Sequence, residues 1–274
     1  MVKMKNTLIE SSLESKGCIR KNIKINDRVT LSKIEIKNDI EKTGFEDGSY
    51  RLFNFDYDNL YMDYNDIIKG IKESLKDFCG NAKKILIVGL GNKEVVCDSL
   101  GSKTVNKLLL LSDKNDFNTK NIVKGLIPNV LGVTGIESYD IIVGVVKQIN
   151  PDLIICIDTL TANSYDSLFK SIQISNTAIT PGSGVKNARK KISKETIGKP
   201  VLVFGIPMLI SLKNLVKSFG DTKKQINEDN VWLSPKDVDF AVEEFSYIFA
   251  KSINEFFYPE LESSEIEKYI KGIF

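Results

Sequence analysis

The chain has 274 residues, 42% hydrophobic and 27% charged, with 38 basic side chains against 36 acidic ones for a net charge of +2. A chain this long can bury a full core, and so even a charge balance carries no electrostatic footprint for nucleic acid or a membrane surface. It contains no histidine, which excludes Ser-His-Asp and Cys-His catalysis and histidine-ligated metal sites; chemistry falls to carboxylates, lysines, hydroxyls or backbone amides.

Apolar runs such as Leu108–Leu111 are too short to cross a bilayer, and Met1–Asn6 lacks the apolar core of a signal peptide. The four cysteines, Cys18, Cys79, Cys97 and Cys156, form no C-x-x-C pair. They read as free thiols in a reducing cytoplasm, with Cys156 in the core. No cofactor or metal is expected. No linker rich in proline, glycine or serine interrupts the chain, so residues 1–274 read as a single domain.

In chain order, residues 1–20 are polar and unpatterned and read as a loosely held tail. Ile23/Ile25 and Val29/Leu31, followed by Ile34/Ile36, alternate on either side of Asn26-Asp27-Arg28, the pattern of an antiparallel hairpin. Residues 37–48 read as loop, and 49–57 as a strand with Phe53, Phe55 and Tyr57 on one side. A helix capped by Asn65 carries the stripe Ile67, Ile68, Ile71, Leu75 and Phe78 and closes at Gly80. The run Ile85–Val88 is the first parallel strand, followed by a helix over 99–111 and an exposed polar segment over 113–124. A second helix opens at Ile136 and buries Ile141, Ile142, Val145, Val146 and Ile149.

Residues 153–157, Leu-Ile-Ile-Cys-Ile, are apolar without alternation. A strand buried on both faces of a parallel sheet reads this way. It ends at Asp158, and a right-handed crossover should join it to the strand before. A helix over 162–170, a short strand at Ile172–Ile174 and a strand from Val201 to Phe204 follow. That strand ends at Gly205-Ile206-Pro207, and a helix begins near Met208. Finally Ser234 at the N-cap, Pro235 at the first helical position and Asp237 in the first turn start a long helix that reaches Phe257. The class is α/β: a three-layer α/β/α sandwich with a mostly parallel sheet and an N-terminal antiparallel β extension.

Three stretches could carry chemistry. Gly89-x-Gly91 follows a strand, but Glu94 stands at the place of the third glycine of a pyrophosphate-binding loop, so the pair reads as a structural turn. Pro181-Gly182-Ser183-Gly184-Val185-Lys186 could offer backbone amides, or a Ser183/Lys186 pair, or phosphate binding; the plain alternative is a glycine turn. Asp98 and Asp158, sixty residues apart in sequence, fall at strand ends on the rim where open α/β sheets bind ligands. Two carboxylates facing one crevice repel, so that one keeps a proton and the other does not. The pair then supplies a base for water and an acid for a leaving amine. The alternative for each is helix capping. The basic run Lys186–Lys191 reads as a solvated face, or as an attraction for an acidic partner.

Three blocks carry a resemblance to a known family. The first joins Val88–Asn92 to Asp98–Gly101. The second runs from Val133–Glu137 through Pro151–Leu153 to Ile157-Asp158, and on to Ile172–Ser175 and Thr180–Val185. The third is Ser234–Asp239 with Ile253-Asn254. In this order they resemble the spore germination protease of Bacillus and Clostridium species. The resemblance implies a cytoplasmic endopeptidase of the spore core that degrades small acid-soluble, DNA-coating proteins. It also implies a fold similar to hydrogenase maturation peptidases, an aspartic-type mechanism, activation from a zymogen and a homotetramer. The family's essential aspartates match Asp98 and Asp158. No direct contact with nucleic acid or membrane is implied. Lys93, Cys97, Asn163 and Asn176-Thr177-Ala178 depart from the family pattern, and the N-terminal processing segment has no clear match. The alternative reading is therefore a paralogue that binds spore proteins without cutting them.

Overall fold

The computed structural model describes residues 17–37, 43–110, 119–183, 189–220 and 230–272. Strands β1 (Cys18–Lys24), β2 (Thr30–Ile36) and β3 (Gly48–Asn54) form an antiparallel meander. Helix α1 (Leu60–Cys79) leads to β4 (Lys84–Gly89), helix α2 (Leu100–Asn106) and β5 (Ile122–Leu126). A four-residue turn of helix, α3 (Leu131–Thr134), and α4 (Ser138–Ile149) precede β6 (Leu153–Ala162), and β7 (Ser171–Ser175) follows it. The remainder is α5 (Lys194–Ile197), β8 (Val201–Ser211), α6 (Leu212–Ser218), β9 (Trp232–Leu233), α7 (Val238–Phe257) and α8 (Ser263–Ile270).

All described strands join one sheet in the order β1-β2-β3-β7-β8-β6-β4-β5, with β9 against β8. The block β8-β6-β4-β5 is parallel, and β7 turns the direction to meet the antiparallel N-terminal flank. Strand β6 lies between β4 and β8 and is buried over nearly its whole length, which is why its sequence does not alternate. Odd-numbered residues Leu153, Ile155 and Ile157 face a layer built from α1, α2, α7 and α8. Ile154 and Cys156 face α4. On the antiparallel flank Phe53 joins the first layer, while Tyr50 and Leu52 pack with Ile34, Ile36 and Leu160 on the other face. Each fully buried Ile or Leu contributes about 1.5–3 kcal/mol.

Several expected boundaries move. The helix read as starting at Asn65 starts at Leu60, so the turn Leu60–Asp63 is helical and Asn65 is exposed within the helix. Gly80 does end it, in a positive-φ conformation (52°). The segment read as exposed and polar holds the edge strand β5, paired with β4 alone. The helix read over 162–170 is absent: β6 runs on to Ala162, and Tyr165–Ser167 form a short 3-10 turn. Likewise β8 passes through Gly205-Ile206-Pro207 to Ser211, where the hydroxyl of Ser211 caps α6. Ser234 caps no helix; its hydroxyl donates to the Met208 carbonyl at 2.8 Å, and α7 starts at Val238. Of the tail read over 1–20, residues 1–16 lie outside the described residues, as do Gly184–Lys186, while Cys18–Arg20 are not a loose tail but pair with β2 as the start of β1.

Candidate active site

The pocket forms where β4 stops and its neighbours continue. The last β4 residue, Gly89, pairs with Ile157, whereas β6 and β8 stay paired to Ala162 and Ile210. Asp158 is therefore the first β6 residue beyond the end of β4, in the interior of its strand and not at the strand end that the sequence implied. A cleft of about 430 Å³ opens there. It includes both Asp98 and Asp158, and also Leu90, Asn92, Thr159 and Leu209.

Glycine brings Asp98 to this point. A Cβ on Gly101 would lie 2.5 Å from the Ile157 carbonyl oxygen, and one on Gly89 would lie 2.4 Å from the Gly101 oxygen. Helix α2 can thus pack backbone against backbone on β4 and β6. Gly91 adopts φ 93°, and a Cβ there would come within 2.1 Å of the Asp98 carbonyl oxygen. The Gly-x-Gly loop hence wraps a carboxylate and not a phosphate: the Asn92 N–H donates to Asp98 Oδ2 at 2.7 Å.

The capping alternatives fail for both acids. Asp98 ends the 3-10 turn Val96–Asp98, Ser99 occupies the position before α2, and no side chain caps that helix. Asp158 Oδ1 accepts from the Thr159 N–H at 2.9 Å. Among the described residues neither carboxylate has an ion-pair partner. Burial raises the Asp158 pKa well above the usual carboxylate range, and the charge of Asp98 adds to it, against the Thr159 N–H. Asp98 is raised as well, by burial, with the Asn92 N–H opposing.

The walls join stretches that the sequence presents separately: the glycine turn at Pro181-Gly182, the basic run and the segment around Glu137. On one side stand Val130 and Ser138: the adjacent Asn129, at φ 60°, accepts the Val130 N–H on Oδ1, and Ser138 donates to the Asn129 carbonyl. On the other side stand Pro181 and Gly182, with the Arg189 N–H donating to the Pro181 carbonyl. The Arg189–Glu137 ion pair spans the two at 3.7 Å. The basic run is not a bare solvated face over 189–191: Lys190 pairs with Asp140 and lies over the Tyr139 ring, and Lys191 pairs with Glu46. Only the mixture of acids across 137–140 could have signalled this.

No group of metal-ligating side chains occurs among the described residues, and no described helix is long and apolar enough to cross a membrane. The structure is similar to a [NiFe] hydrogenase maturation protease, HycI, from Thermococcus kodakarensis. The match has a TM-score of 0.41 and 18% identity, and covers 67% of this chain and 98% of that one. In sequence the chain is 31% identical over 300 residues to the germination protease of Clostridium acetobutylicum, covering 92% of each. It is 32% identical to that of Oceanobacillus iheyensis over 83% of this chain and 68% of the other. With the Priestia megaterium germination protease identity rises to 41%, over 57% of this chain and 46% of that one. The model of the germination protease family matches residues 2–223. The chain belongs to the germination protease family.

Proposed function

We propose that this protein is an aspartic-type endopeptidase, acting as one peptidase domain, that cleaves small acid-soluble spore proteins during germination. The observation that carries the mechanism is the convergence of Asp98, half-buried, and Asp158, buried, on one cleft at the end of β4. Two carboxyl groups in this environment share one proton. Deeper burial favours the proton on Asp158, and the Asn92 N–H favours charge on Asp98. Asp98 then draws a proton from water, the hydroxide attacks the scissile carbonyl carbon, and Asp158 protonates the departing amine.

Family membership supports the choice of substrate, and with it a homotetramer working in the spore core. Incubation of the purified protein with a small acid-soluble spore protein tests the reading. Defined fragments that disappear in Asp98→Asn and in Asp158→Asn are the expected result. Tight binding of a substrate that stays intact would replace the protease by a binding paralogue. The departures from the family pattern at Lys93, Cys97 and Asn163 are what favour that second reading.

A further inference from the structure

Residue Thr159 makes two bonds that lead to different acids. Its backbone N–H donates to Asp158 Oδ1 at 2.9 Å. Its hydroxyl donates to the carbonyl of Cys97, the residue before Asp98, at 3.0 Å. The turn so tethered is only three residues long, and its first residue, Val96, and the preceding Val95 are exposed. Apart from this tether, the carboxylate of Asp98 is held from the Asn92 side of its own loop. Two ionised carboxylates in a low-dielectric cleft push each other apart, and a short exposed turn is the part of the cleft that can yield.

We propose that Thr159 is a positioning residue that holds the carboxyl groups of Asp98 and Asp158 at the separation where they share one proton. The side-chain hydroxyl fastens the turn to β6 and the backbone N–H orients the Asp158 carboxylate, so one residue reaches both partners. This assignment rests, for its effect on catalysis, on the reading of the pair as the reacting acids. Its effect on the spacing of the pair does not. The other ionisable groups around the pair are Cys97, Cys156, Glu137 and Arg189. Burial pushes both thiols up, away from the acid range in which the carboxyl groups titrate.

The test compares Thr159→Val, which keeps the shape and loses the hydroxyl, with Thr159→Ser, which keeps the hydroxyl. In the full chain, carbon-13 labelling of aspartate follows the two carboxyl titrations directly, and cleavage of a small acid-soluble spore protein gives kcat and KM. The valine variant should bring the two titration steps closer together, mainly by lowering the upper one. It should also reduce kcat by about tenfold to a hundredfold with KM unchanged. Serine should restore both. A valine variant that titrates and cleaves as the native chain does would overturn the proposal, and so would a serine variant that matches valine in both readouts. If the native chain leaves the spore protein intact, the protease reading fails, while the titrations still decide the role of Thr159.

Discussion

The antiparallel flank and the parallel block each bury an aspartate, and the two are treated in opposite ways. Against the antiparallel flank, Asp63 of α1 is 0% exposed and accepts hydrogen bonds from Arg28 Nε and Nη2 at 2.9 and 2.8 Å, and from Asn26 Nδ2 at 2.9 Å. The Arg28 hydrogen bond holds its pKa below the usual carboxylate range despite the opposing effect of burial. In the parallel block, Asp158 is 6% exposed and has one N–H, a neighbouring carboxyl group and no cation among the described residues. The first arrangement ties a hairpin turn to a helix. The second favours the protonated form of its carboxyl group. Burial alone does not distinguish structural acids from reactive ones; what they are buried against does.

The largest effect expected from breaking this contrast is on rate. Asp98→Asn or Asp158→Asn should each reduce cleavage of a spore protein by about 10²–10⁴-fold or more, measured from initial rates. Next comes the close packing that delivers Asp98. In Gly101→Ala the new methyl meets the Ile157 carbonyl at 2.5 Å and the Leu90 backbone at 2.6 Å, so α2 must back away. A loss of about 1–3 kcal/mol by denaturant titration is expected, together with a fall in kcat.

The smaller effects concern stability, and the same substitution should act with opposite sign at the two aspartates. Asp63→Asn should lower Tm at neutral pH. The stabilisation it removes is fully present above the unfolded value of about 3.9 and is lost as pH falls through the lowered folded value, so the gap to the native chain closes in acid. Asp158→Asn should raise Tm at neutral pH by roughly 2–4 °C. There the native chain is at full stability below about 3.9 and loses it as pH rises through the raised folded value, so the gap opens with pH. Thermal melts of both variants between acid and neutral pH check the pair of signs; two shifts in the same direction would erase the contrast.

The parallel centre was legible because burial on both faces demands an apolar run, and 85–88, 153–157 and 201–204 all have one. Asp158 stood out as the one charge at the end of such a run. Where strands left that environment the sequence misled. Edge strand β5, Ile-Val-Lys-Gly-Leu, is half exposed and patterned like a loop. Pro207 looked like a terminator, yet it sits where the β6–β8 register shifts between Leu160 and Thr161, and its carbonyl accepts from Phe169 N–H without needing a donor of its own. The role of Thr159, and the ion pair of Arg189 within a run that reads as a solvated face, depend on partners 62 and 52 residues away in sequence, Cys97 and Glu137.

The backbone contact between α2 and strands β4 and β6 has one more consequence. Gly89, Gly91 and Gly101 leave no side chain to repack in the floor beneath the proposed acid pair. Under the proposed function, substitutions that retune substrate choice should instead accumulate in the walls, at Val130–Gly132, Glu137, Ser138, Pro181, Gly182 and Arg189. Saturation mutagenesis scored by substrate choice should therefore draw a rigid floor intolerant of change beneath walls that tolerate it freely.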